Sequence, residues 1–443
     1  MPAQTSRGAM RAALWPSMAG LADAGVLIQF SEGSAMSSIP MIGGVPSGPA
    51  LAIPLGVARA VTASASTSGR SSLTSPNIYN LKASNTVRLR TGIAAAAAGV
   101  RNCLIGIWTP STGAGQSTGG GTSQAVNAWP MQLASRLQAA GINAGANGFF
   151  GDKGNWGGVQ SITSVLAGDY RLSITDGTTV GGTQAFGGNA FLFPAVPARL
   201  SFTPQNPVTR FEVAWRDNAS VRSFNATIDA GPAALVTTTG VAALRRTLLP
   251  AVPIGMHTIN FDWVAGNVTI VGCHSYNDAN GRKEISFLNG GIAGAMSARF
   301  NDETDAAVGL TATLAAYQFD AAFYDDAPIN DWRNGVSVAA SKANATAWVQ
   351  KVKAANVDPV LITPLWDNGT LGLSAQQDSY AAMLFEVAIE QDVPLIDIRG
   401  AWGSYALASA KGWYSDSIHP AFTGSGAKAA MMQGALMQIQ QIG

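Results

Sequence analysis

The chain has 443 residues, of which 47% are hydrophobic and only 12% charged, with a formal net charge of +1. That length exceeds what one hydrophobic core usually serves, so more than one domain is expected. The near-neutral balance, without a run of Lys or Arg, excludes an electrostatic footprint for nucleic acid, and no uninterrupted apolar run reaches the length of a membrane span.

Residues 1–80 carry Pro, Gly, Ser and Thr with weak periodicity and read as an extended or anchoring segment. The N-terminus lacks the basic-then-apolar order of a secretory signal. The apolar stretch 39–65 is interrupted by four prolines, which argues against a signal there too. From Ala83 the pattern changes: it predicts a helix over 84–98, an apolar strand over 101–108, a Gly-rich loop over 109–123 and an amphipathic helix over 128–140 that Gly141 stops. Strand, glycine loop and helix open an α/β domain.

Between about 150 and 284 short alternating segments, among them 210–215, 223–228 and 257–263, are separated by Gly, Pro and Asn-Asp turns. This spacing indicates a β-sandwich, expected to fold on its own. Phe211, Trp215, Phe224, Phe261 and Trp263 are assigned to its core, with a sugar-binding face as the alternative. His257, in an alternating segment, and His274, after a strand end, read as structural. The α/β rhythm resumes after Glu284, with strands over 285–288, 319–324, 359–363 and 394–398 and helices over 338–355, 376–390 and 424–440. The chain therefore divides into 1–80, a first α/β part over 81–150, an inserted β-sandwich over 151–284 and a second α/β part over 285–443. Cys103 and Cys273 lie in apolar strand segments and read as two buried thiols. The histidines other than His419 are not spaced with carboxylates or cysteines as ligand sets, so no metal is expected, and no cofactor motif is present.

Chemistry concentrates in four short motifs. Asp416-Ser-Ile-His419-Pro420 places a carboxylate three residues before an imidazole, an arrangement that can orient the ring and stabilise its cation. The other three fall at the C-terminal ends of predicted strands, where open α/β sheets place ligand sites: Thr109-Pro-Ser111-Thr-Gly-Ala-Gly115, Asn289-Gly-Gly-Ile-Ala-Gly294 and Pro328-Ile-Asn330-Asp331-Trp332. The stretch Gly148-Phe-Phe-Gly-Asp152 resembles the glycine turn of the second of these, but lies too far from Asn330 in sequence to be preferred.

In this order and spacing the motifs resemble those of the SGNH, or GDSL-type, hydrolases: Gly-Asp-Ser-x-Thr-x-Gly, Asn-x-Gly-x-x-Gly, Gly-x-Asn-Asp and Asp-x-x-His-Pro. The likeness covers roughly 83–150 and 285–443, and the β insertion looks like that of bacterial and phage-associated members. It implies a three-layer, flavodoxin-like α/β domain with a parallel sheet, interrupted by a jelly-roll-like sandwich that binds carbohydrate. It also implies Ser111 as nucleophile, His419 as general base and Asp416 as its orienting group. The oxyanion hole would combine the Ser111 and Gly294 backbone N–H groups with the Asn330 side-chain amide. Thr109 and Pro110 stand where Gly and Asp are usual, and a register shifted by two residues would put Thr109 at the nucleophile position. Pro328 replaces the usual Gly of the third motif, and because proline fixes its own φ and constrains the residue before it, the loop carrying Asn330 is expected to be displaced. The implied activity is a serine esterase removing acyl groups, O-acetyl foremost, from a carbohydrate polymer or a small ester. Its setting would be extracellular or virion-associated, with assembly on a virion or cell surface. The alternative is an SGNH-fold binding or structural protein whose catalysis has lapsed.

Overall fold

A computed structural model describes residues 76–442 apart from 120–123, 155–160, 176, 195–197 and 371, so the expectations for 1–75 lie outside the described residues. A seven-stranded sheet runs in the order Asn77–Tyr79, Leu395–Asp397, Asp358–Ile362, Ala321–Asp325, Cys103–Trp108, Ile285–Asn289, Ala144–Gly145. All neighbours are parallel except Asn77–Tyr79, which pairs antiparallel at one edge. The end of the segment read as an extended arm therefore belongs to the sheet.

The central strands are near-continuous apolar runs, as expected for strands covered on both faces. Alternation with period two divides them between two cores. Ile105, Ile107, Phe287 and Phe323 face the helices Val87–Ala97, Trp129–Ala139 and Phe422–Gln441. Trp108, Leu288, Ala322 and Tyr324 face Leu310–Tyr317, Val338–Ala354 and much of Gln377–Glu390. Ile107 sits opposite both Asn289 and Phe323, and Trp108 opposite Tyr324. Register alone thus brings the segments after Trp108, Asn289 and Asp325 to one edge of the sheet.

The region from Gly148 to Tyr276 forms two antiparallel sheets. One runs in the order Ala234–Thr237, Ser223–Ile228, Ile259–Ala265, Arg199–Phe202, Leu172–Thr175. The other runs Ala243–Leu248, Arg210–Asp217, Val268–Tyr276, Gly188–Phe193, Thr179–Ala185, with Gly148–Phe150 also pairing on Val268–Tyr276. Phe211, Trp215, Phe224 and Phe261 are buried in the core these sheets share, with Trp263 half-buried beside them. The β region begins at Gly148, slightly earlier than expected, and includes a helix, Ile162–Gly168, that alternation did not signal. His274 lies inside a fully buried strand rather than after its end. Cys103 and Cys273 are free and buried.

The second sheet also has apolar residues on its other face. Ala190, Ala214 and Val271 turn away from the sandwich core and pack in the same cluster as Trp108, Tyr317 and Phe319 of the α/β part. Because the two parts share a core, replacing 155–284 by a Gly/Ser linker would leave Trp108 and Phe319 facing water. The expected result is loss of a cooperative thermal transition in the remainder. A remainder that still melts cooperatively would contradict this reading of the interface.

Candidate active site

Ser111 opens a single helical turn, Ser111–Ala114, that follows the Cys103–Trp108 strand. Pro110 precedes it in extended conformation, where a missing N–H costs nothing, and Gly115 ends it in the left-handed conformation. The loop Trp413–Ala421 lies against this turn and is closed by hydrogen bonds from Ala421 N–H to the Trp413 carbonyl and from Ser415 N–H to the His419 carbonyl. His419 Nε2 lies 2.9 Å from Ser111 Oγ, and His419 Nδ1 lies 2.7 Å from Asp416 Oδ2. The other Asp416 oxygen accepts the Ile418 and His419 backbone N–H groups at 2.9 and 2.7 Å. Ser111, His419 and Asp416 thus form one hydrogen-bonded chain. Thr109 does not join it: its hydroxyl donates to Asp325 Oδ2 at 3.0 Å.

Burial pushes the Asp416 carboxyl up, but the hydrogen bonds from the His419 backbone and ring and from Ile418 outweigh it and hold the group below the ordinary 3.8. A carboxyl depressed on folding contributes stability that is present above its unfolded pKa and lost as pH falls through its folded pKa. Carboxyl NMR titration is therefore expected to find Asp416 titrating below 3.8, with the Asp416–His419 contact intact at pH 5. A midpoint above the ordinary value would contradict the hydrogen-bonding pattern.

The second motif wraps over the nucleophile turn. Asn289 Nδ2 donates to the Gly113 carbonyl at 2.8 Å, its Oδ1 accepts Gly291 N–H, and Ile292 N–H reaches the Thr109 carbonyl. A Cβ on Gly291 would lie 2.6 Å from Ala114 Cα, so only glycine allows this approach. Gly294 has φ +70°, again a conformation that favours glycine. Pro328 caps the short helix Ile329–Arg333 with φ −72° and ψ −8°, a position that tolerates proline's fixed φ. Asn330 is buried and its Nδ2 donates to the Ala295 carbonyl at 3.0 Å, beside Gly294; Asp331 accepts Ser297 N–H. The third motif is thereby tied to the end of the second.

Lys153 was not singled out in the sequence, where a lysine in a Gly-Asp-Lys-Gly turn reads as a solvated loop residue. Its Nζ donates to the Asn289 carbonyl at 2.5 Å and its carbonyl accepts Ala293 N–H, so the β region holds the second motif from outside. Loss of hydration, then repulsion from Arg171, lowers its pKa to about 7 against the pull of Asp169 and Asp152. A cavity of about 300 Å³ opens beside these groups, lined by Ala114, Gln116, Lys153, Asp169 and Ala293 among others. His257, bonded to Asp229 and the Pro253 carbonyl, and His274, 3.5 Å from Glu284, both lie in the β region and make none of these contacts. Among the described residues no group of three His, Cys, Asp or Glu side chains has the geometry to hold a metal ion.

No family model and no curated protein sequence matches the chain. In structure it is similar to a peptidoglycan O-acetylesterase, at TM-score 0.57 and 15% identity over 83% of this chain and 99% of that one. Weaker overlaps include a family two carbohydrate esterase from Cellvibrio japonicus, at TM-score 0.27 and 14% identity over 62% of this chain and 96% of that one. Another is the acetyl xylan esterase AlAXEase, at TM-score 0.30 and 17% identity over 34% and 81%. At these identities the likeness concerns the fold, and only the first overlap is close enough to bear on it.

Proposed function

We propose that the protein is a serine esterase that removes O-acetyl groups from a carbohydrate polymer. The observation that carries this reading is the hydrogen-bonded chain Ser111–His419–Asp416 at the C-terminal edge of a parallel sheet. In this reading Ser111 Oγ attacks the ester carbonyl while His419 Nε2 takes its proton, and ionised Asp416 stabilises the imidazolium. The oxyanion is met by the Ser111 N–H, which the first turn of a helix leaves without an internal partner, by the Gly294 N–H and by the second hydrogen of Asn330 Nδ2. His419 gives that proton to the departing sugar oxygen as the C–O bond breaks and leaves acetyl-Ser111; it then takes a proton from a water that attacks the acetyl carbonyl, and returns it to Ser111 Oγ as acetate leaves.

The carbohydrate part rests on a fold shared with an esterase acting on peptidoglycan, and on a cavity lined by the end of the nucleophile turn and by the β region. We assign polymer binding to the sheets of 148–276 and an extracellular or virion-borne setting, where such polymers occur. The test is acetate release from 4-nitrophenyl acetate, O-acetylated peptidoglycan and acetylated xylan by purified protein beside a His419→Ala control. Turnover of the small ester and of one polymer, absent in the control, is the expected result. A folded protein inert on all three would favour the binding-module alternative.

A further inference from the structure

The two threonines on either side of Pro110-Ser111 each bind a different aspartate. Thr109 donates to Asp325 Oδ2 at 3.0 Å and Thr112 to Asp326 Oδ2 at 2.8 Å. Both aspartates share one lysine: Lys428 Nζ lies 2.6 Å from Asp325 Oδ1 and 2.8 Å from Asp326 Oδ2. All five residues are fully buried. A third donor reaches each carboxylate: Trp129 Nε1 donates to Asp325 and Leu365 N–H to Asp326. Each carboxylate therefore accepts three donors, which is what a buried charge requires to persist. Burial, with the neighbouring Asp326, raises the Asp325 carboxyl to about 6 even against the pull of Lys428.

The cluster joins the parts that must stay aligned for the proposed chemistry. Thr109 and Thr112 bracket the nucleophile turn. Asp325 ends the adjacent strand, and Asp326 follows it with φ +52°, a conformation asparagine and aspartate tolerate best among residues with side chains. Lys428 stands on the helix Phe422–Gln441, which begins three residues after His419. Lys428 thus links, through Asp325 and Asp326, the helix that follows the base to the turn that carries the nucleophile.

We infer that Lys428, acting through Asp325 and Asp326, is a positioning residue that holds the Ser111 turn in register with His419. This rests on Ser111 being the nucleophile. The hydroxyls of Thr109 and Thr112 are then required for turnover although neither touches substrate.

The test measures kcat and KM for 4-nitrophenyl acetate in wild type, Thr109→Val, Thr112→Val, Thr112→Ser and Lys428→Met. Misplacement of reacting groups by about 1 Å can cost about 100-fold. The valine variants are therefore expected to lose roughly 10-fold in kcat and Lys428→Met about 100-fold, with KM within about twofold of wild type. Thr112→Ser, which keeps the hydroxyl, should retain wild-type kcat. The valine variants remove a donor without stranding a charge, so they decide the matter if Lys428→Met fails to fold. A wild type without turnover would sink the esterase reading and this role with it. Unchanged kcat in folded Thr109→Val and Thr112→Val beside an active wild type would overturn the positioning role alone, as would a Thr112→Ser no better than Thr112→Val.

Discussion

Ser111→Ala and His419→Ala are each expected to lower ester turnover by roughly 10⁴-fold or more, and the double variant to be little worse than either. The members of a nucleophile–base–carboxylate set act as one unit, so removing one strips most of what all of them contribute. The geometry makes the expectation specific. Ser111 Oγ lies within hydrogen-bond reach of His419 Nε2, whose other nitrogen is engaged by Asp416. The Thr109 hydroxyl is committed to Asp325, so Thr109→Ala should cost far less than Ser111→Ala. Steady-state kinetics on a small acetate ester checks all four variants. Additive losses in the double variant would mean that Ser111 and His419 do not act in the same step.

Asn330→Ala is expected to reduce kcat by about 100- to 1000-fold, the usual loss for one oxyanion donor. The Asn330 amide nitrogen carries two hydrogens. One is used on the Ala295 carbonyl, which fixes the plane of the amide beside Gly294, and the other is assigned to the developing oxyanion. Loss of the Ala295 bond alone should cost about 1 kcal/mol of stability, so the variant should remain folded. Unchanged kcat with a small fall in Tm would reduce Asn330 to a tie between the two loops.

Much of the architecture was legible because parallel sheets write themselves as short apolar runs. Cys103–Trp108, Ile285–Asn289 and Asp358–Ile362 lie within two residues of where those runs placed them. The site motifs were legible for the same reason: once strands are parallel and in register, the segments after their C-terminal ends must meet. The helix Leu310–Tyr317 escaped notice because it is apolar on most sides and offers no amphipathic stripe. Lys428 escaped because a single lysine on a twenty-residue helix reads as part of a solvated face. Its partners lie 102 and 103 residues away, and no local pattern encodes that distance. That Pro328 caps a helix was not legible either: proline suits a helix start, and the deciding fact is where the helix begins.

The most direct test of the central claim is covalent labelling. A serine becomes strongly nucleophilic only beside a positioned base, so a fluorophosphonate probe should react with the wild type and leave one adduct on Ser111, located by peptide mass spectrometry, and none in His419→Ala. An adduct on Thr109, or a folded wild type that takes no label at all, would contradict the account.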